Sequence, residues 1–304
     1  MNVPSRQSRW ASPRALRRNG VVGINARNLE ILARLNRREF YPLVDDKVMT
    51  KSICARQGIP APATYAIIER FGDIRDFPAP ALVERDFVVK PSRGSGGRGV
   101  VVVVGRTHGG FETLGRVVVS DAELRYHVST ILSGLHSLGG RADRAIVEQR
   151  VLKHPAFESV APFGTPDVRI IVCRRQPVMA MLRLPTRQSR GRANLHQGAV
   201  GVGIDMSTGI TFGGVCRDRA VRVCPETGAA LCGVEIPHWR QVLDISVALS
   251  GAIGLEYLGV DMVFDAQGGP LVLEANARPG LTIQIANRCG LWRRLPAALV
   301  PHST

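Results

Sequence analysis

Lysine is nearly missing from this chain: only Lys47, Lys51, Lys90 and Lys153 occur, and arginine supplies the rest of its 40 basic residues. Acids are short as well, 25 in 304 residues, so the formal net charge is +15. Such a surplus is either a solvated arginine-rich surface or a sign of an anionic partner, such as nucleotide phosphates, an acidic peptide, nucleic acid or a lipid surface. Aromatic residues make up only 5%, and no stretch interleaves them with basic ones to stack bases, which argues against nucleic acid. No apolar run approaches the roughly 18–20 residues that span a bilayer; the five-valine run Val100–Val104 is strand-length. Val21–Ile24 is too short for a signal-peptide core, so a soluble cytoplasmic protein is expected. The six cysteines, at 54, 173, 216, 224, 232 and 289, form no pairs at zinc spacing. Cys216, Cys224 and Cys232 recur every eight residues and read as small buried residues in strands, and reduced thiols fit the cytosol.

What is present reads as an α+β protein with an ordinary 45% of hydrophobic residues. Residues 1–20 carry Arg6, Arg9, Arg14, Arg17 and Arg18, with no acid before Glu30, and read as a basic arm. Leu29, Leu32 and Leu35 lie at helical spacing within Asn25–Phe40. Asp45 or Asp46 can cap a second helix running to Gly58, after which Pro60 and Pro62 enforce an extended segment. Strands are expected at Tyr65–Ile68, Phe87–Lys90, Val100–Val104 and Ala145–Val151, with a helix over Ala122–Leu138. A second block follows, with strands at Val168–Cys173, Val178–Leu184, Gly209–Phe212 and Val221–Val223, a Gly/Arg/Asn-rich crossing at 186–203 and a helix over Pro237–Ile253. It closes with a hairpin, Val260–Phe264 and Leu271–Ala275. The division is a basic arm and helix over 1–44, then two α+β lobes over 45–150 and 151–304.

The first strong motif runs from Phe87 to Val100, where Gly94, Gly96 and Gly99 match G-x-G-x-x-G. A dinucleotide fingerprint must open a helix, but this loop opens into a valine run, and no G-K-[ST] follows it. It is therefore a strand–loop–strand flap. Gly94, Gly96, Gly97 and Gly99 let backbone N–H groups approach phosphates, and Ser92, Ser95, Arg93 and Arg98 can add donors. Lys90 closes an apolar strand just before the flap, where an ammonium is costly to bury without an anion; its compact charge suits a phosphate oxygen. Lys47 reads equally as a solvated helix residue or as a second nucleotide contact.

The second motif is the hairpin from Gly259 to Asn276. Its turn at Ala266–Gly269 places Asp261 opposite Glu274, and like charges directly opposed destabilise a sheet. Set among Val, Met, Phe and Leu, the two acids need a cation or a shared proton. Asn276 projects on the same face as Glu274, so Asp261, Glu274 and Asn276 offer only hard oxygens, the set Mg²⁺ takes (Mn²⁺ being possible), with ATP phosphates completing the octahedron. Asp265 is a turn residue.

Flap lysine, glycine loop and D…E-x-N hairpin, in this order, resemble the ATP-grasp superfamily over roughly residues 45–290, in particular its RimK-like α-L-glutamate ligases and sugar-transfer-associated members. Asp46-Lys47 with Gly58-Ile-Pro-Ala-Pro62, Val147–Val151, Asp167–Ile170, Arg192–Gly198 and Glu274–Gly280 carry the likeness further. The resemblance implies two lobes clamping ATP, Glu148 on the adenine side, Arg169 facing the phosphates, and Arg192 and Arg278 in the reaction centre. Arg183 and Arg278 could bind a substrate carboxylate or form structural ion pairs. His196 reads as a hydrogen-bonded structural residue rather than a base. The activity implied is ATP- and Mg²⁺-dependent ligation of a carboxylate to an amine through an acyl phosphate, adding glutamate or a related amino acid to a small molecule or acidic peptide. Relatives usually carry a preceding α/β domain, whereas about 44 residues precede Asp46 here. The acceptor surface is therefore expected to be reduced, rebuilt from 1–44 or supplied by a partner protein. Thiol ligation, small-molecule phosphorylation, a non-catalytic nucleotide scaffold and a basic nucleic-acid-binding protein are the competing readings.

Overall fold

The computed structural model describes residues 12–78, 82, 85–94, 96–217 and 219–300. Arg6 and Arg9 of the expected basic arm lie outside these residues; Arg14, Arg17 and Arg18 sit on the helix Pro13–Arg18, which buries nothing.

β-Branched runs form most strands, because their side chains pack well on a pleated surface. The first sheet contains β1 (Thr64–Ile68), β2 (Phe87–Pro91), β3 (Val101–Thr107), β4 (Gly110–Thr113), β5 (Val118–Val119) and β6 (Ala145–Gln149), in the antiparallel order β1-β6-β2-β3-β4-β5. Helix α1 (Lys47–Arg56) precedes it, and helix α2 (Asp121–Leu132) starts from a Ser120–Glu123 capping box. Leu124, Val128, Ile131 and Leu132 recur at helical spacing and pack on Phe87, Val89 and Phe111 of the sheet.

The second sheet contains β7 (Asp167–Cys173), β8 (Gln176–Leu184), β9 (Val200–Ile204), β10 (Ile210–Cys216), β11 (Arg219–Val221), β12 (Cys232–Glu235), β13 (Tyr257–Asp265) and β14 (Gly269–Asn276). Their order is β11-β10-β9-β8-β7-β13-β14, with β12 on β10. Helix α3 (Trp239–Ile253) and α1 cover one face; Ile31, Leu32, Leu35, Ile283, Leu291 and Leu295 cover the other. Burial from both sides explains why β13 reads as an apolar run rather than an alternation: all nine of its residues are buried.

Several expectations need correcting. The short helix expected within Asn25–Phe40 runs without a break from Ile24 to Leu35, but carries a π-turn over Arg27–Leu32. The wider turn shifts the register, so Ile31 faces inward and Leu29 is 67% exposed. Strand β9 lies in what read as a glycine-rich crossing; its Val-Gly-Val-Gly-Ile alternation places glycine where Leu195, Phe212 and Ala286 press against the strand. Cys224 is buried but lies outside any strand, whereas Cys216 and Cys232 lie in β10 and β12 but are half-buried and exposed.

Asn36 ties the segment before α1 to the second sheet. Its amide donates to Tyr257 O (2.8 Å) and Ala277 O (3.3 Å), and its oxygen accepts from Tyr257 N (3.0 Å), all buried. Asn36→Ala should therefore lower stability by about 1–3 kcal/mol, since buried backbone groups lose their partners; a denaturant titration with an unshifted midpoint would contradict this.

Candidate active site

Asp46 organises the base of the flap. It caps α1 by accepting from Val48 N (3.0 Å), accepts a hydrogen bond from the Ser92 hydroxyl, and accepts from Arg144 Nη2 (2.6 Å) and Arg93 Nε (3.3 Å). Burial pushes Asp46 up, but the Ser92 hydroxyl and Arg144 guanidinium outweigh it and hold the carboxyl below its usual range. Ser92 is fully buried and committed to this cap, which corrects its expected place as a free donor on the flap. Lys47 Nζ donates to Gly94 O (2.6 Å) and Ser92 O (3.4 Å) and lies 3.8 Å from Glu274. It is thus neither solvated nor remote, and it joins flap and hairpin. Burial lowers its pKa, opposed by Glu274.

The flap closes towards the other lobe. Gly96 and Gly97 hold φ of +64° and +72°, where side chains are strained. A Cβ on Gly96 would stand 3.2 Å from Asn194 Nδ2, and one on Gly97 3.1 Å from Arg192 Cδ. The glycine loop and the Arg192–Gly198 motif, about a hundred residues apart, are therefore in contact at the tip. At its far end Gly99 packs on His136 and its carbonyl meets His127 Nε2 at 3.0 Å. Ser95 lies outside the described residues.

Beneath the flap, Glu148 stands between two lysines, 2.5 Å from Lys90 Nζ and 2.9 Å from Lys51 Nζ. Burial pushes Glu148 up, yet Lys90 and Lys51 hold its carboxyl below the usual range. The anion that Lys90 needs is therefore internal. The close carboxylate contact of Lys90 Nζ is to Glu148 Oε1 alone, one acceptor for three N–H donors. The ammonium so retains donors for a further oxygen.

At the hairpin, Asp261 does stand opposite Glu274. Its neutralisation, however, comes from the neighbouring strands. Arg169, directly opposite on β7, grips it with Nε (2.6 Å) and Nη2 (2.5 Å), and Arg183 of β8 adds Nη2 at 2.7 Å. Burial pushes Asp261 up, but Arg169 and Arg183 overcome it and hold the carboxyl far below its usual range. Asp167 pairs with Arg183 across β7 and β8, yet burial, with Asp261 nearby, pushes it up to about 6. Arg183 is thus a structural ion-pair residue, enclosed by carboxylates on its own sheet. Glu274 is the open member, 30% exposed and 3.9 Å from Arg169. Asn276 Nδ2 lies 3.3 Å from both Asp261 and Glu274. Among the described residues no three His, Cys, Asp or Glu side chains converge to hold a metal.

Arg278 is half exposed, stacked 4.6 Å over Tyr41 and 3.6 Å from Asp45. His196 is exposed and its imidazole has no partner among the described residues, contrary to the structural reading. Ser92 was expected at the flap and Asp46 at the helix cap, but Arg144, which joins them into one hub, and Asp167 as the partner of Arg183 were not; the signals in the sequence were an acid at a helix cap and an acid two before Arg169.

The sequence matches the sugar-transfer associated ATP-grasp family over residues 26–298. The chain belongs to that family. It has the ATP-grasp fold, two antiparallel lobes with flap and hairpin between them. No curated protein matches it significantly. Solved structures similar to it include a D-alanine–D-alanine ligase from Bacillus anthracis complexed with ATP, at 16% identity and TM-score 0.45, covering 78% of this chain and 56% of that one. A RiPP-associated ATP-grasp ligase of Chryseobacterium gregarium, with ADP and a leader and core peptide, matches at 14% identity and TM-score 0.46, covering 84% and 59%. The ATP-grasp ligase PsnB, with a phosphomimetic variant of its minimal precursor, Mg and ADP, matches at 16% and 0.44, covering 84% and 57%. This chain thus spans less than two thirds of each of those proteins. Among the described residues no helix is long and apolar enough to cross a membrane.

Proposed function

We propose that this chain is an ATP- and Mg²⁺-dependent ligase that joins a carboxylate to an amine through an acyl phosphate, adding glutamate or a related amino acid. Residues 45–150 and 151–304 act as its two clamping lobes, and a cytoplasmic address belongs to the same reading. The observation that carries it is Lys47: one ammonium touches the flap carbonyl of Gly94 and lies 3.8 Å from Glu274, so glycine cover and acid hairpin face one space.

The residues fit the ligands this requires. Lys90 keeps unused donors beneath the flap, and flap N–H groups of Gly96, Gly97 and Gly99 are free of side chains that would hold phosphates away. Glu148, buried between Lys90 and Lys51, is the residue the resemblance puts on the adenine side. Glu274 and, with its amide turned, Asn276 would supply hard oxygens to magnesium, with Asp261, gripped by Arg169 and Arg183, as the third of the set. When bound, magnesium neutralises phosphate charge and aligns the transferring group. Arg169 orients Asp261 and, with Arg192 at the flap tip, stabilises charge on the phosphoryl oxygens. A substrate carboxylate oxygen attacks the γ-phosphorus and ADP leaves; an amine nitrogen then attacks the acyl carbon, and phosphate leaves as the amine gives up its proton. The protein's part is positioning, charge neutralisation and exclusion of water by the flap.

An ADP-release screen of amino acids and acidic peptides with ATP and Mg²⁺ tests this, with mass spectrometry of the product. Acceptor-dependent ADP and a new amide are expected; a thioester, a stable phosphorylated product or no turnover would each reject it. Lys90→Met should weaken nucleotide binding by about 10–100-fold in calorimetry, the loss of a charge-assisted contact. An unchanged affinity removes Lys90 from the site.

A further inference from the structure

A cavity of about 690 Å³ lies beside the segment that follows Asn276. Four of its nine lining residues are arginines (Arg27, Arg37, Arg38 and Arg278), and none is acidic. The chain has 40 Lys+Arg less four lysines, or 36 arginines in 304 residues, so even scatter would place about one there. The cluster is therefore local, not a reflection of overall charge.

The four arginines come from two directions. Arg27 lies on the π-turn, Arg37 and Arg38 follow Leu35, and Arg278 stands two residues past Asn276. Asn36 bonds Tyr257 and Ala277, so the cavity wall is fastened to the acid hairpin. Arg27 is held in place by Pro279 O (3.1 Å) and Asn28 Oδ1 (3.1 and 3.0 Å). Tyr41 supports the Arg278 guanidinium from below, at 4.6 Å. Glu39 and Asp45 each offset one charge at the rim, Arg37 at 2.5 Å and Arg278 at 3.6 Å. The Arg38 side chain has no ion pair or hydrogen bond among the described residues. Four guanidiniums around one cavity repel each other, and their planar forks match carboxylates two bonds at a time. Leu32 and Tyr41 supply apolar wall for the methylenes between them. The volume lies in the range that takes a small-molecule or short peptide ligand.

We infer that this cavity binds the carboxylate-rich part of the second substrate, an amino acid or short acidic peptide carrying two or more carboxylates. Arg278, two residues past Asn276, is the lining residue nearest the acid hairpin in the chain. The assignment rests on the ligase reading and names the substrate class and the wall that recognises it, residues 27–41.

Triglutamate is the probe, titrated by calorimetry into protein saturated with Mg²⁺ and AMPPNP, a non-hydrolysable ATP analogue, with triglutamine as the uncharged control. Triglutamate is expected to bind and triglutamine to bind at least about tenfold more weakly, since the guanidinium contacts are charge-assisted. Arg38→Ser and Arg278→Ser should each weaken triglutamate about tenfold. Arg240→Ser, which removes the same charge from an exposed site on α3, should leave it unchanged. An equal loss in Arg240→Ser would mean bulk charge and overturn the site, as would no triglutamate binding. AMPPNP binding in the same titrations separates the two claims. Nucleotide bound without triglutamate rejects the cavity alone, whereas no nucleotide binding rejects the ligase reading and the cavity with it.

Discussion

Glu274→Gln is expected to cut Mg²⁺-dependent ATP turnover by at least about a hundredfold while leaving the thermal midpoint nearly unchanged. Mutating residues that merely orient metal ligands costs about 10–100-fold, so loss of a ligand's charge should cost no less. Stability is spared because Glu274 is 30% exposed and its nearest cations, Lys47 and Arg169, are 3.8 and 3.9 Å away. Pairs of that kind contribute about 1 kcal/mol or less. Asp261→Asn is the poorer test, although the two acids oppose each other in the hairpin. It would leave Arg169 and Arg183 facing a neutral amide in a fully buried site, and breaking such a pair costs about 3–5 kcal/mol. A dead Asp261→Asn enzyme could simply be unfolded. Coupled ADP release on Glu274→Gln, with a melting curve on the same sample, gives the clean answer; full turnover would remove the hairpin from metal binding.

The contrast between these two acids marks what could be read before the fold was known. Much that is local was legible: the valine runs, the glycine flap, the turn at Ala266–Gly269 and the Asp261–Glu274 register it fixes. Asp46 as helix cap was legible for the same reason, since a cap acts within three residues. What pairs with Asp261 was not. Arg169 and Arg183 reach it only because β13 inserts beside β7, about ninety residues earlier in the chain, and strand order is not written in any one strand. The same holds for Lys90, whose partner Glu148 arrives through the β2–β6 pairing. Strand β9 was hidden for another reason: glycines chosen for close packing against Leu195, Phe212 and Ala286 look, in isolation, like a loop. The turn between 27 and 32 likewise changes which leucine faces inward, and no periodicity argument built on 3.6 residues per turn anticipates a π-turn.

Arg183→Met should lower stability by about 3–5 kcal/mol, because it strands Asp167 inside the second sheet and withdraws one of two cations from Asp261. For a chain of this size the thermal midpoint should fall by about 5–10 °C. The pH dependence gives the prediction a sign. Asp167 is already pushed up to about 6 with Arg183 in place, first by burial. A raised carboxyl binds its proton more tightly in the folded state than in the unfolded chain, so its contribution to stability grows as pH falls and is lost as pH rises through the folded value. Without Arg183 that value rises further, so the deficit should be largest at pH 7 and shrink towards pH 5. Adding Asp167→Asn to Arg183→Met should recover part of the loss at pH 7, since the buried charge is gone. If Arg183→Met melts like the parent at both pH values, the arginine carries no structural load. Its guanidinium would then be free to meet a substrate, which the two carboxylates now gripping it argue against.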